Sequence, residues 1–305
     1  MKIIFMGTPE FAVPSLEALH EKYEIVLVVS QLAKKEGRKG ILKNPPVALK
    51  ALELNIPLYQ PEHIKDEYEY FKNIEADMIV TAAYGQFIPT KILNLYKKCI
   101  NVHGSLLPKH RGGAPIQRSI MEGDKETGVT IMEMVKKMDA GRMYAQASLP
   151  ILESDNSTSL FEKLSIMGKN LLMDNIENIY DGINEGNPQN EDEATISPNI
   201  LSTEEKIDFN SNACDVFNLI RGLSDEPGAY AEFKGQRIKI YKAQILSDNS
   251  SNVPGTIINL KKCLVIKCKS DAISVLELQA PGKKRMAIKD FLNGQKLLNL
   301  NDIIE

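Results

Sequence analysis

Residues 2–31 read KIIFMGTPEFAVPSLEALHEKYEIVLVVSQ, and this stretch decides the fold. Lys2–Met6 and Glu24–Gln31 are apolar at nearly every position, as strands covered on both faces must be. Between them, Pro9–Glu21 carries a helical pattern. Strand, helix, strand in so short a span is the repeating unit of a parallel sheet. The same apolar signature returns at Asp77–Tyr84 and Cys99–His103, with a further helix over Pro46–Leu54 whose proline suits a first turn. The first half of the chain therefore predicts an α/β domain built on a doubly wound parallel sheet.

Ser159–Ile183 follows as a long helix with a buried stripe through Leu160, Leu164, Met167, Leu171, Ile179 and Ile183, and Ser159 with Glu162 suits a capping box. Residues 186–205, GNPQNEDEATISPNILSTEE, contain two prolines, no Lys or Arg and no periodicity. They read as a linker. Beyond it, a helix near Ala213–Gly222 precedes short strand-like runs. AEFKGQRIKIYKA (231–243) alternates around a turn at Lys234-Gly235, followed by CLVIKC (263–268) and AISVLELQ (272–279). Such runs suggest a small β-barrel. The expected organisation is a domain over 1–185, a linker over 186–205 and a barrel domain over 206–305.

The 305 residues are 43% hydrophobic and 25% charged, which excludes a disordered chain. No apolar run is long enough to span a membrane, and the short apolar start is no signal peptide. Cys99, Cys214, Cys263 and Cys268 form no C-x-x-C pair, so they read as reduced residues of a cytoplasmic protein without a structural metal. The net charge is −3, but it is divided: residues 1–205 sum to −7 and residues 206–305 to +4. A basic C-terminal part is either chance surface variation or the face that meets a polyanion.

The chemistry concentrates in 101–143. NVHGSLLPKHRGGAPIQRSI (101–120) opens at a strand end, where open α/β sheets place ligands. Asn101 and His103 alternate onto one face of that strand. An amide donor beside an imidazole suits a reaction that develops negative charge on oxygen, although a histidine at a strand end is also a common structural residue. TGVTIMEMVKKMDAGRM (127–143) then presents a strand and a loop with Asp139 before Ala-Gly. Asp139 either satisfies its own turn or reaches back to orient a histidine. AKKEGRKGILK (33–43) sets Lys34, Lys35, Arg38, Lys39 and Lys43 against one acid, as a solvated loop or a phosphate grip. The loop after the first strand lacks G-x-G-x-x-G and G-x-x-x-x-G-K-[ST], which disfavours nucleotide cofactors.

MGTPEFAVPSLEAL (6–19), the 101–143 block and LQAPGKKRMAIKDFLNG (278–294) together resemble the methionyl-tRNA formyltransferase family, within the folate-dependent formyltransferases. The resemblance runs end to end. It implies a Rossmann-like catalytic domain and an OB-like C-terminal barrel that binds tRNA. It implies formyl transfer from 10-formyltetrahydrofolate to the α-amino group of methionyl initiator tRNA, by a monomer without an obligatory protein partner or metal. It puts the catalytic residues at Asn101, His103 and Asp139, a folate motif at Ser105, Leu106, Leu107 and Pro108, and tRNA contacts on Lys34, Lys35, Arg38, Lys39 and Lys43. The chain departs from the family at Leu32–Glu36, where a Pro-Asp-Arg-Pro-like start is usual, and at Ser224-Asp225-Glu226, where Asn-Pro-Trp is usual. A small-molecule formyltransferase or a formyltetrahydrofolate hydrolase would share the three catalytic positions but has no need of a basic loop or barrel.

Overall fold

The computed structural model describes residues 1–36, 40–295 and 297–305. They divide into two compact units. The first comprises Met1–Pro115, Glu126–Pro150 and Phe161–Pro198, and the second Ile116–Lys125, Ile151–Leu160 and Asn199–Glu305.

In the first unit the elements run β1 (Lys2–Gly7), α1 (Val13–Lys22), β2 (Glu24–Val29), a two-stranded ribbon β3 (Lys34–Glu36) and β4 (Ile41–Lys43), α2 (Pro46–Glu53) and β5 (Leu58–Tyr59). They continue with α3 (Tyr68–Lys72), β6 (Met78–Ala82), α4 (Thr90–Leu93) and β7 (Lys98–His103). The short helix α5 (Pro115–Met121), which belongs to the second unit from Ile116, leads to β8 (Glu126–Glu133), β9 (Met143–Pro150) and the long helix α6 (Ser157–Tyr180), which belongs to the first unit from Phe161. Seven strands form one sheet in the order β5-β2-β1-β6-β7-β8-β9. The pairs from β5 to β7 are parallel, as the apolar runs predict. The sheet is nevertheless mixed: β8 joins β7 antiparallel and β9 joins β8 antiparallel. The chain order reverses between β1 and β6, which is the place where such sheets open a ligand crevice beyond their C-terminal edge.

Helix α6 starts two residues before the sequence suggested, because Asn156 caps it. The Asn156 side chain accepts from the Ser159 N–H at 2.9 Å, and Ser159 Oγ accepts from the Asn156 N–H at 3.1 Å. This reciprocal pair is the box that the sequence assigned to Ser159 and Glu162. The helix ends at Tyr180, and Ile183 is exposed rather than in the stripe. The buried face instead passes through Leu160, Leu164, Gly168, Leu172, Ile176 and Ile179. A Cβ on Gly168 would meet Val102 of β7 at 2.8 Å, so glycine there lets the helix lie directly on the strand that carries the candidate site.

The second unit holds α7 (Ala213–Gly222), β10 (Tyr230–Phe233), β11 (Gln236–Leu246), β12 (Ile257–Asn259), β13 (Leu264–Lys267), β14 (Ala272–Gln279), β15 (Met286–Ala287) and α8 (Ile288–Leu292). Its strands make an antiparallel sheet, β10-β11-β14-β13-β12, with β15 on β14. The β10–β11 hairpin turns at Lys234-Gly235, both at positive φ, as a two-residue hairpin requires. The sheet curls around an apolar core that includes Ile220, Leu223, Ile238, Ile257, Ile266 and Leu278. Residues 301–305 lie between the sheet ends: Glu305 N donates to Glu232 O at 2.8 Å, and Ile304 N donates to Gly255 O at 2.9 Å. Residues 301–305 thus bridge the gap between β10 and the residues before β12.

The boundaries differ from the expected 1–185, 186–205 and 206–305. Segments 116–125 and 151–160 belong to the second unit because their polar groups are committed there. Arg118 is paired with Glu204 at 2.6 Å, Arg221 donates to Leu152 O at 2.8 Å, and Ser157 Oγ donates to Ser224 O. Residues 186–198 belong to the first unit and are no tether, as the site geometry makes plain.

Candidate functional site

The site forms where β7 ends. Side chains alternate along a strand, so Asn101 and His103 share a face. On β6, Thr81 stands opposite Asn101, and its hydroxyl donates to Asn101 Oδ1 at 2.7 Å. This fixes the amide through its oxygen, and among the described residues its NH2 edge has no protein acceptor. His103 is buried, 5% exposed. Its Nε2 donates to the His110 carbonyl at 2.9 Å, which leaves Nδ1 facing Asp139 Oδ2 at 3.8 Å. The three residues read as catalytic from the sequence are thus gathered around one strand end. The His103–Asp139 separation is too long for a hydrogen bond, yet one water lying off the line could bond both atoms.

Asp139 lies in the loop between β8 and β9, and it sits at φ 50°. That left-handed conformation is costly for a residue with a Cβ and persists only where surroundings impose it. The surroundings are visible. Asp139 Oδ2 accepts from the Gly112 N–H at 2.8 Å, and its backbone carbonyl accepts from Gln189 Nε2 at 2.7 Å. Asp139 is therefore more than a turn residue satisfying its own backbone.

The four positions assigned to folate make up the loop that leaves β7. Ser105 is fully buried, and its hydroxyl donates to Lys109 O at 2.7 Å. Thr130 of β8 is the loop's anchor: it donates to Ser105 O at 2.7 Å and accepts from Leu107 N at 3.1 Å. Gln146 of β9 ties the same threonine to Leu107 O. Ser105 and Leu107 thus shape the loop from inside, while Leu106 and Pro108 are half-buried at its surface. The basic segment forms the ribbon β3–β4, with Lys34 paired across from Lys43. Lys34, Lys35 and Lys43 are exposed, and so are Ile41 and Leu42. Arg38 and Lys39 lie outside the described residues.

The sequence reading missed Arg111 and the segment that holds it. Arg111 is 2% exposed, so its charge must be matched. Its Nε and Nη2 donate to Gln189 Oε1 at 3.0 and 2.7 Å, and its Nη1 and Nη2 reach Glu191 at 3.1 and 2.9 Å. The backbone follows suit: Arg111 N donates to Thr195 O at 2.9 Å and Ser197 N to Arg111 O at 2.6 Å. A Cβ on Gly112, itself at φ 123°, would meet Ser197 O at 2.6 Å. His110, also buried, has its Nδ1 2.8 Å from Ser197 Oγ. The Arg111 guanidinium, and then the Lys137 ammonium, hold the Glu191 carboxyl down at about 2. The only hint in the sequence was a charged residue followed by two glycines, which says that backbones approach but not which ones.

Family-level similarity agrees with this geometry. Residues 1–176 match the formyl transferase family model, and residues 199–296 match that of the formyl transferase C-terminal domain. The methionyl-tRNA formyltransferase of Lactobacillus johnsonii is 48% identical over 298 residues, covering 96% of this chain and 95% of that protein. Among solved structures, the Helicobacter canadensis N-formyltransferase in complex with folinic acid and dTDP-3-aminofucose aligns with a TM-score of 0.71 at 19% identity, over 90% of this chain and 98% of that one. HypX from Aquifex aeolicus in complex with tetrahydrofolic acid aligns with a TM-score of 0.64 at 17% identity, and all of this chain spans half of that longer one. The chain belongs to the formyl transferase family.

Proposed function

We propose that this chain transfers the formyl group of 10-formyltetrahydrofolate to the α-amino group of methionyl initiator tRNA, as a cytoplasmic monomer. The observation that carries the chemistry is the Asn101 amide, its Oδ1 pinned by the Thr81 hydroxyl, on the same strand end as His103, whose Nδ1 faces Asp139. The methionyl nitrogen, unprotonated, attacks the formyl carbon, and the carbonyl π electrons move onto oxygen. Asn101 Nδ2 donates to that oxyanion. The His103 imidazolium, its Nε2 proton held by the His110 carbonyl and its Nδ1 beside the Asp139 carboxylate, shares the charge. Collapse of the intermediate breaks the bond from carbon to folate N10. The nitrogen that attacked loses one proton and N10 gains one, with His103 Nδ1 and Asp139 relaying it through a water. No metal is needed for any of these steps.

Leu106 and Pro108 meet the folate on the loop surface, while Ser105 and Leu107 hold the loop's shape. The tRNA backbone is met by the exposed lysines of the β3–β4 ribbon and by the basic C-terminal half-barrel. The acceptor is supported by the 48% identity with a methionyl-tRNA formyltransferase along nearly the whole chain, C-terminal unit included. The test supplies 10-formyltetrahydrofolate with either charged initiator tRNA or a nucleotide-linked amino sugar. Formyl-methionine on the tRNA is expected. Transfer to the sugar alone, or release of free formate alone, would overturn the reading.

A further inference from the structure

We propose that Gln189 is a positioning residue for the His103–Asp139 couple. The inference rests on the reading of Asn101, His103 and Asp139 as the reacting centre. Three consecutive residues hold both sides of the 3.8 Å gap. The His110 carbonyl takes the His103 Nε2 proton at 2.9 Å, and the Gly112 N–H donates to Asp139 Oδ2 at 2.8 Å. Between them, the Arg111 side chain runs to Gln189 Oε1. Gln189 completes the circuit, because its Nε2 donates to the carbonyls of Asp139 and Gly141 at 2.7 and 2.8 Å. One half-buried amide therefore links the buried guanidinium to the turn that holds the Asp139 carboxylate.

The need for such a link is physical. Asp139 occupies a left-handed backbone conformation, which is uncommon for a residue other than glycine. Its carboxylate accepts from the Gly112 N–H, and its distance from His103 sets how well it supports the imidazolium. The charged groups joined to Gln189 are paired among themselves: Arg111 with Glu191 and Glu191 with Lys137, while the His110 Nδ1 lies by Ser197 Oγ. Without the Gln189 amide, the Asp139–Gly141 turn is free to relax away from His103 while the rest of the network stays charged and paired.

Two variants of the full chain separate the contributions. Gln189→Glu keeps an acceptor for Arg111 but loses both donors to the turn. Gln189→Leu loses donors and acceptor together. We expect kcat for formyl transfer to fall roughly tenfold to a hundredfold in both, with KM for folate and for tRNA within about twofold of wild type. The ring resonances of His103, read by NMR in the ligand-free protein at one fixed pH, shift in both variants. Wild-type kcat in Gln189→Glu, or His103 ring resonances unmoved from wild type, would overturn the proposal, and so would a loss carried wholly by KM. Should Gln189→Leu fail to fold, Gln189→Glu decides, since it retains the Arg111 pairing. If wild-type protein fails to formylate charged tRNA, the functional reading falls alone, because the ligand-free His103 resonances still judge Gln189.

Discussion

Two stretches of this chain look alike on paper and differ in what their sequences disclose. Residues 104–115 and 186–198 are both polar, irregular and punctuated by proline. The first announces chemistry, because it follows an Asn-x-His strand end. The second announces nothing and reads as a linker. In the fold they are two sides of one clamp: Arg111 and Gly112 on one, Gln189, Glu191, Thr195 and Ser197 on the other. Polar composition reports that a segment has no apolar face to bury. It does not report whether distant partners satisfy its backbone, and here they do.

The comparison can be broken at the clamp. Arg111→Ala removes the guanidinium from four hydrogen bonds and leaves Gln189 without its donor, which should cost about 3 kcal/mol in urea unfolding. A variant as stable as wild type would return 186–198 to the status of a tether. Gly112→Ala probes the same contact from the backbone. Its Cβ would drive against the Ser197 carbonyl, so a loss of about 2 kcal/mol is expected by the same measurement.

Acid should loosen the clamp in a defined window. Glu191 is held at about 2 in the folded protein against 4.5 for a free glutamate. A depressed folded-state value means its stabilisation is complete above about pH 4.5 and fades as pH falls toward about 2. The melting-temperature advantage of wild type over Glu191→Gln should be present at neutral pH and shrink through that window. A difference that ignores pH would mean the carboxylate charge is not what holds Arg111.

The smallest effects belong to the β3–β4 ribbon. Neutralising Lys34, Lys35 or Lys43 one at a time should each reduce the log–log salt slope for tRNA binding by just under about one, raise KM for tRNA and spare folate affinity. Unchanged slopes would make the ribbon a solvated surface element.

What the sequence disclosed follows from range. The apolar runs of β1, β2, β6 and β7, the Asn101–His103 alternation and the Lys234-Gly235 turn are local signals, and each stands where local physics puts it. β9 escaped because its alternate residues face solvent at the sheet edge, giving no continuous apolar run. Arg111 escaped because nothing nearby in sequence explains a buried cation; its partners lie some 80 residues on. Asn156 displaced Ser159 as the helix cap because either residue type can serve and only the chain's entry path selects one.

The central claim is that Asn101, held by Thr81, stabilises charge on the formyl oxygen. Its most direct test is steady-state formyl transfer to charged initiator tRNA by Asn101→Ala, with folate affinity measured alongside. The account predicts a fall in kcat of about 10²–10³ with folate affinity little changed. Turnover near the wild-type rate would contradict it.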